Sequence, residues 1–326
     1  MSQQRPFVSI VTPVYNGEKY LEPCIESALA QSHTAFEFVI LDNASTDDTN
    51  VIAAAYARKD SRIRLHRNER TLPVIENWNR ALEFISPESR YCRILHADDT
   101  MYPDCLEKCV AVAERNPSVG IVGSLRLRGE IIQCEGLPRN RDVFSGKEIA
   151  RLFMRDQVFA LAPTSNMIRS DLVRAHQPFY PAQYLHADLA AYYELLKDCD
   201  FGFVHEVVAF SREHENSITT TVAERNQTIL REGLLMLQHY GPDFFPPDEL
   251  TEVEQAYLRR YYRSLIRGAV TRRSPDYVKY HLDGLQQANR TPTPIDLLRA
   301  AGAEFTLSIL HPGKLVRHLS NRRPAA

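Results

Sequence analysis

The chain has 326 residues, of which 39 are Lys or Arg and 41 are Asp or Glu, so its formal net charge is −2. A charge this close to zero leaves no strong field to attract a polyanion, which argues against a nucleic-acid partner. Hydrophobic residues make up 44% and charged residues 25%, which is ordinary for a globular protein and excludes disorder over most of the chain. The length predicts two lobes, or one large core with additions.

The sequence contains no apolar segment near the roughly 20 residues that a helix needs to cross a bilayer. Residues 1–6 lack the apolar stretch of a secretory signal, so we expect a cytoplasmic protein. The six cysteines fit this expectation, because they are sparse and no two have the Cys-x-x-Cys spacing of zinc or redox motifs. We interpret them as buried or unreactive thiols.

The first third of the chain alternates between strand and helix patterns. Runs of β-branched and apolar residues predict strands at residues 7–14, 36–41, 63–66 and 91–95. Apolar residues that recur every 3.6 positions predict helices at residues 19–31, 46–59 and 74–85. A helix at 103–115 and a strand at 119–122 complete this half. Such alternation predicts an α/β fold with a mostly parallel sheet flanked by helices.

The pattern weakens in the middle of the chain. Residues 125–155 are interpreted as a connecting region with short strands and a helix at 146–154. A further helix is predicted at 188–197. Residues 201–210 form either a pair of strands or one long strand.

Beyond residue 225 the sequence predicts a helical C-terminal extension. Amphipathic segments occur at 229–237 and 248–272, and a third helix begins near 274–276. This region also has a basic aromatic run at 259–263 and an acid-free tail at 311–323. These two segments either contact anionic lipid at a membrane surface or form solvated helix faces.

Ligands of a parallel sheet bind where the loops at the carboxyl ends of its strands meet. The loops predicted there are residues 13–17, 42–47 and 97–99, and none has the glycine pattern of a dinucleotide fingerprint or a P-loop. The adjacent carboxylates of Asp98 and Asp99 offer another way to meet a diphosphate, because such oxygens bind Mg²⁺ or Mn²⁺. Alternatively, the two aspartates only cap the helix that follows.

Three segments in order resemble the signatures of a known family. They are VSIVTPVYN at 8–16, LDNASTDDT at 41–49 and LHADD at 95–99. Together they look like the motifs of the inverting family-two glycosyltransferases with a GT-A fold, over about residues 6–123. Two later segments, YLHAD at 184–188 and SREHENS at 211–217, are similar to the acidic base segment and the arginine–histidine element of that family.

The resemblance implies roles for residues at this edge of the sheet. It implies that Pro13, Tyr15 and Asp42 hold the base and ribose of a nucleoside diphosphate sugar. It also implies that Asp98 contacts ribose or metal and that Asp99 binds the cation, Mn²⁺ or Mg²⁺. From the residues alone, two alternatives stay open: Tyr15 as a core aromatic, and Asp42 as a helix cap, although Ser45 and Thr46 can cap that helix themselves.

The resemblance also implies roles further along the chain. Asp188 is the implied catalytic base, which takes the proton of the acceptor hydroxyl. A helix-start role for Asp188 stays open, with Glu194 as the alternative base. Asn77 faces the donor, as the same helix does in related enzymes. His214 meets metal or diphosphate together with Arg212, or the two form an exposed loop pair.

Three positions depart from the family pattern. Asn43 and His96 stand where many relatives have aspartate, and Ala187 stands where relatives often have glutamate. We expect His96 to pack or donate a hydrogen bond near the site, not to ligate metal. The thinner acidic cluster keeps open the alternative of a catalytically inactive nucleotide-sugar-binding protein, and a structural scaffold is a third hypothesis.

These observations predict a GT-A domain over residues 1–220 and a helical C-terminal region over 221–326. Within the first, residues 1–124 are expected to bind the donor and 125–220 the acceptor. The predicted function is metal-dependent, inverting transfer of a sugar from a nucleoside diphosphate sugar to a hydroxyl of a glycan or lipid-linked acceptor, in cell-surface polysaccharide assembly. The expected location is cytoplasmic, with peripheral contact at the inner face of the membrane as an alternative to a fully solvated protein.

Overall fold

The computed structural model describes residues 5–158, 161, 163–214, 226–270 and 275–310, with side chains in the last segment up to residue 306. The chain divides into two compact units, Met1–Ser217 and Ile218–Ala326. The first unit is built on a mixed sheet, and the second is made of helices.

The sheet of the first unit begins with four strands that run in parallel. They are β1 (Val8–Val14), β2 (Phe36–Asp42), β3 (Ile63–Arg67) and β4 (Tyr91–Ile94), with β1 between β2 and β4 and with β3 outside β2. Every residue of β1 and β2 is buried, as expected for central strands of a parallel sheet that is covered on both faces.

The remaining strands extend and close this sheet. They are β5 (Thr100–Met101), β6 (Val119–Arg128), β7 (Ile131–Gln133), β8 (Val143–Phe144), β9 (Met167–Arg169) and β10 (Asp200–Ser211). Strand β9 lies antiparallel between β4 and β6, β10 runs parallel to β6, and β5 pairs antiparallel with β10. The β5–β10 pairing places the segment after β4 beside the end of β10.

Helices cover the sheet. They are α1 (Leu21–Leu29), α2 (Thr49–Ala57), α3 (Val74–Leu82), α4 (Cys105–Arg115), α5 (Gly146–Met154), α6 (Ser170–Ala175) and α7 (Ala187–Leu195). The main hydrophobic cluster joins one face of β1 and β2 to α1 and α4, with residues such as Ile10, Phe38, Ile25 and Leu106 all fully buried. Five of the six cysteines are buried free thiols, as interpreted from the sequence, and Cys199 is half-buried.

The predicted α/β class is confirmed, and several local predictions are resolved. Residues 200–211 form one continuous strand, β10, and not a pair. The connecting region 125–155 contains two short strands and α5, as expected. The sequence pattern did not predict β5, β9 or α6, because segments of two to six residues are too short to show a periodic pattern.

The second unit has four helices among its described residues, α8 (Thr228–Phe244), α9 (Pro247–Val270), α10 (Pro275–Gln287) and α11 (Pro294–Leu310). Helix α9 packs against the other three. Buried tyrosines hold this core: the hydroxyl of Tyr257 donates to the carbonyl of Ile229 at 3.0 Å, and the Tyr261 hydroxyl lies 2.9 Å from Nδ1 of His281. The predicted helical extension is confirmed, although α11 was not predicted.

Contact with a membrane was one alternative for two basic segments of the sequence, 259–263 and 311–323. In the run 259–263, Tyr261 is fully buried and Tyr262 is 8% exposed, so the aromatic part of this run belongs to the core and does not face a membrane. The tail at 311–323 lies outside the described residues. Among the helices that are described, none combines the length and apolar content needed to cross a bilayer.

Candidate active site

The loops that follow β1 and β2 are tied together at the carboxyl edge of the sheet. Asn16, which has a left-handed φ of 49°, donates its backbone N–H to the Ser45 hydroxyl at 2.9 Å, and its side-chain oxygen accepts the N–H of Thr46 at 2.9 Å. The N–H of Gly17 donates to the Thr49 hydroxyl at 2.8 Å, and a Cβ at this glycine would lie 2.6 Å from a methyl group of Val14. The sequence therefore fixes the conformation of both loops before any ligand binds.

Pro13 and Tyr15 lie on this rigid edge in different environments. Pro13 is buried near the end of β1, whereas Tyr15 is 50% exposed. An exposed aromatic ring beside two fixed loops is available for stacking. The core interpretation of Tyr15 is therefore wrong.

Asp42 ends β2 as a fully buried carboxylate. Its Oδ1 atom accepts the N–H of Ser45 at 2.9 Å. Its Oδ2 atom lies 3.2 Å from Nε of Arg67 but accepts no hydrogen bond from a described residue. The Arg67 guanidinium compensates the charge of this oxygen, and the contact predicted between Asp42 and the donor stays a prediction.

Asn77 is buried on α3 and belongs to a network of amide side chains. The side-chain N–H₂ group of Asn68 donates to Oδ1 of Asn77 at 2.9 Å and to Oδ1 of Asn43 at 2.8 Å. Asn43 in turn donates to the carbonyl of Leu72 at 2.9 Å. The network explains why an amide is suited to position 43, and the contact predicted between Asn77 and the donor stays a prediction.

Asp98 and His214 come together across more than a hundred residues of sequence. Oδ2 of Asp98 lies 2.9 Å from Nε2 of His214, and these side chains are 30% and 17% exposed. The pairing depends on β5 and β10, which bring the two segments to the same edge. The structure therefore joins two residues that belong to separate sequence motifs.

Asp99 has a different environment from its neighbour. It is 3% exposed, and its carboxylate accepts hydrogen bonds from the Arg212 N–H at 3.0 Å, from the Ser211 hydroxyl at 3.3 Å and from the Thr164 hydroxyl. Burial raises the pKa of the Asp99 carboxyl, and the negative charge of Asp98 is a second, smaller cause of the increase. Both of its oxygens are thus occupied by protein donors. Thr164 carried no signal in the sequence.

Arg212 and Tyr20 complete this part of the edge. The Arg212 guanidinium lies 5.2 Å from the centre of the Tyr20 ring, and its Nε donates to the carbonyl of Asp98 at 3.4 Å. The Tyr20 ring also packs against the His214 ring, with 4.8 Å between centroids. Arg212 and His214 therefore lie beside Asp98 and are not an isolated loop pair.

A second cluster forms around Trp78 on α3. Its ring lies 5.2 Å from the His96 ring and 5.5 Å from the Tyr180 ring, centroid to centroid. The adjacent Asn79 side chain donates to the carbonyl of Tyr180 at 2.8 Å and accepts the Tyr180 N–H at 2.7 Å. Helix α3 is thereby attached to the segment that leads into α7. His96 packs against an aromatic ring, as expected.

Asp188 lies in the first turn of α7 with a half-buried side chain. Burial raises the pKa of its carboxyl, while electrostatic attraction to His186 and His96 opposes this effect. The alternative base, Glu194, forms an ion pair with Lys197 at 2.9 Å and is 43% exposed. The role of general base predicted for Asp188 stays a prediction.

Comparison with known proteins identifies the family. A family model described as glycosyl transferase family 2 matches residues 9–175, and the chain belongs to this family. Its fold is the GT-A fold. A putative teichuronic acid biosynthesis glycosyltransferase, TuaG, of Bacillus subtilis is 38% identical over 108 residues, which is 33% of this chain and 42% of that protein. The chain thus matches less than half of that relative.

Solved structures show the same fold at low sequence identity. The S. aureus TarS fragment 1–349, in complex with UDP-GlcNAc, has a TM-score of 0.65 at 16% identity, covering 88% of this chain and 82% of that one. The mannosyltransferase PcManGT from Pyrobaculum calidifontis, in complex with GDP-Man and Mn²⁺, has a TM-score of 0.58 at 16% identity, covering 96% and 83%.

Proposed function

We propose that the protein is an inverting glycosyltransferase that moves a sugar from a nucleoside diphosphate sugar to a hydroxyl of a glycan or lipid-linked acceptor, in the assembly of a cell-surface polysaccharide. The observation that carries the proposal is geometric. The Trp78 ring contacts both His96, in the segment that carries Asp98 and Asp99, and Tyr180, in the segment that leads to Asp188, so the candidate donor-binding and base segments meet at one side chain. The donor class is supported by the neighbours above, which were solved in complex with UDP-GlcNAc and with GDP-Man.

Donor binding is assigned to the edge formed by β1 and β2. The exposed ring of Tyr15 offers a stacking surface for the nucleobase, and Pro13 shapes the strand end beneath it. Asp42, at the end of β2, is assigned to the same nucleobase, whose N–H group would replace the Arg67 guanidinium beside Oδ2. We assign donor binding to residues 1–124 and acceptor binding to 125–220.

A divalent cation fits the donor set at the other end of this edge. Asp98 and His214 place one carboxylate oxygen and one imidazole nitrogen 2.9 Å apart, a mixed pair that suits Mn²⁺. Among the described residues no third His, Cys, Asp or Glu joins them, so diphosphate oxygens and water would complete the shell. When bound, such a cation stabilises negative charge on the departing diphosphate.

The sequence predicted Asp99 as the cation ligand, and that prediction is untested. Its three protein hydrogen bonds favour a different role, which is to hold the end of β10 so that His214 reaches Asp98. We therefore propose Asp98 and His214 as the residues that hold the cation. Arg212, beside them, adds a fixed positive charge near the diphosphate.

Asp188 is proposed as the general base. Its carboxylate removes the proton of the acceptor hydroxyl while that oxygen attacks the anomeric carbon. The bond from this carbon to the diphosphate oxygen breaks, and the nucleoside diphosphate leaves with the electron pair. Attack opposite to the leaving group inverts the anomeric configuration.

The test is release of nucleoside diphosphate from a panel of nucleotide sugars with Mn²⁺ and bacterial glycan or polyprenyl-linked acceptors. Asp188→Asn should abolish transfer and keep donor binding, because it removes the base and nearly preserves shape. Glu194→Gln, on the same helix, is the matched control and should keep activity. Binding without turnover by the unmodified protein across the panel would favour the inactive binding protein, and absence of any nucleotide binding would contradict both hypotheses.

A further inference from the structure

Helix α11 carries an apolar stripe that no described part of the protein covers. Ile295, Leu298 and Phe305 are 60%, 72% and 70% exposed. Spacings of three and seven residues place them on one face of the helix. Between them, a Cβ added at Gly302 would meet no atom within 4 Å, so the face is open as well as apolar.

The opposite face of α11 is firmly packed in the helical unit. Ala300 is 6% exposed, and α11 packs along α9. The Arg267 guanidinium of α9 donates two hydrogen bonds of 2.9 Å to the carboxylate of Glu304. Because the helix is already anchored by this face, the stripe is a surface of a formed helix, and its apolar residues face outward.

The sequence next to the stripe is basic. Residues 311–326 contain four Lys or Arg residues, Lys314, Arg317, Arg322 and Arg323, and no Asp or Glu. An anionic lipid surface has the matching chemistry, since it offers phosphate charges outside an apolar layer. A second copy of this chain, with a formal charge of −2, has much less charge to offer.

We infer that α11 docks on the surface of an anionic lipid bilayer. Ile295, Leu298 and Phe305 enter the boundary between head groups and acyl chains, and the basic residues after the helix meet lipid phosphates. This surface replaces the aromatic run at 259–263, whose tyrosines are buried. The inference does not depend on the proposed transfer reaction.

The test is cosedimentation of the full chain with vesicles of phosphatidylglycerol and phosphatidylcholine in equal parts, compared with phosphatidylcholine alone. The double variant Leu298→Glu, Phe305→Glu should bind the anionic vesicles at least about tenfold more weakly, because burying either side chain is worth a factor of about ten or more. Val51→Glu on α2, where the replaced valine is 64% exposed, is the matched control and should bind like the unmodified protein. Deletion of residues 311–326 should weaken binding most at low salt.

Each alternative result contradicts the inference in a recognisable way. If the unmodified protein does not bind anionic vesicles, or if the double variant binds them equally well, lipid docking is wrong. If light scattering shows a dimer that the double variant loses, without vesicle binding, the stripe is a contact between two copies. Stabilisation of the double variant by UDP and Mn²⁺ is measured in parallel, so that failure of the donor site is distinguished from failure of docking.

Discussion

Three aspartates at one edge of the sheet show how environment decides the role of a side chain. Asp42 is fully buried beside Arg67, Asp98 is partly exposed beside an imidazole, and Asp99 is buried among protein donors. The sequence could indicate that acidic residues gather here, because each follows a strand. It could not separate their roles, since the partners Thr164 and His214 come from distant segments.

Removal of the Thr164 hydroxyl tests the structural role of Asp99. Thr164→Val should destabilise the protein by about 1–3 kcal/mol, because a buried carboxylate oxygen then loses a donor. Urea denaturation followed by circular dichroism measures this free energy. Thr34→Val, at an exposed position, should change it by less than about 0.5 kcal/mol. Equal stability of the two variants would show that the hydrogen bond contributes little.

The raised pKa of Asp188 predicts the pH dependence of transfer. The carboxyl must be ionised to accept a proton, so log(kcat/KM) should fall with unit slope as pH drops below its pKa. Because burial raises that pKa, the midpoint should lie above the value of about 3.9 for a free aspartate. The pH–rate profile of the purified enzyme measures it. A midpoint at or below the free value would contradict this environment.

At the scale of elements, two connections hold the site together. The antiparallel pairing of β5 with β10 brings Asp98 next to His214. The Asn79 side chain of α3 forms two hydrogen bonds with the backbone of Tyr180. The sequence predicted the long parallel strands and the longer helices, whose periodic patterns extend over many residues. It missed β5 because two residues have no periodicity, and no local pattern reveals a pair formed across more than a hundred residues.

Replacement of Asn79 tests whether α3 positions the segment before α7. Asn79→Leu should speed hydrogen exchange at residues 176–186 and lower the transfer rate, because two backbone hydrogen bonds to Tyr180 are lost. UDP binding should be kept. Exchange mass spectrometry locates the change, and Glu76→Gln, at an exposed position on the same helix, is the control. Unchanged exchange in Asn79→Leu would mean that other contacts fix this segment.

At the scale of the whole molecule, the chain combines a sheet unit with a helical unit. The sequence anticipated both, since the change from alternating strands and helices to helices alone is visible in the pattern. It did not anticipate α11 or its exposed stripe. Sequence shows which residues are apolar, but only the packing of α11 on α9 shows which apolar residues remain uncovered.

Donor binding should stabilise the unit that contains the site. At UDP and Mn²⁺ concentrations about a hundredfold above the dissociation constant, the unit gains about 2.7 kcal/mol, which corresponds to roughly 5–10 °C in its melting temperature. Differential scanning calorimetry should show this shift in the transition of Met1–Ser217 and not in that of the helical unit. His214→Ala should lose the part of the shift that depends on Mn²⁺, and an equal shift with and without Mn²⁺ would argue against the proposed cation site.

The native thiols are buried or half-buried, which favours selective fluorescent labelling of an introduced cysteine. Burial raises the pKa of the Cys199 thiol to about 12, and Cys109, whose pKa is lowered to about 7 by its hydrogen bond with Cys105, has no exposed surface. A maleimide fluorophore should therefore react selectively at Leu298→Cys without removal of any native cysteine. The emission of the dye would shift to shorter wavelength when it enters lipid. The emission wavelength would therefore report the docking of α11.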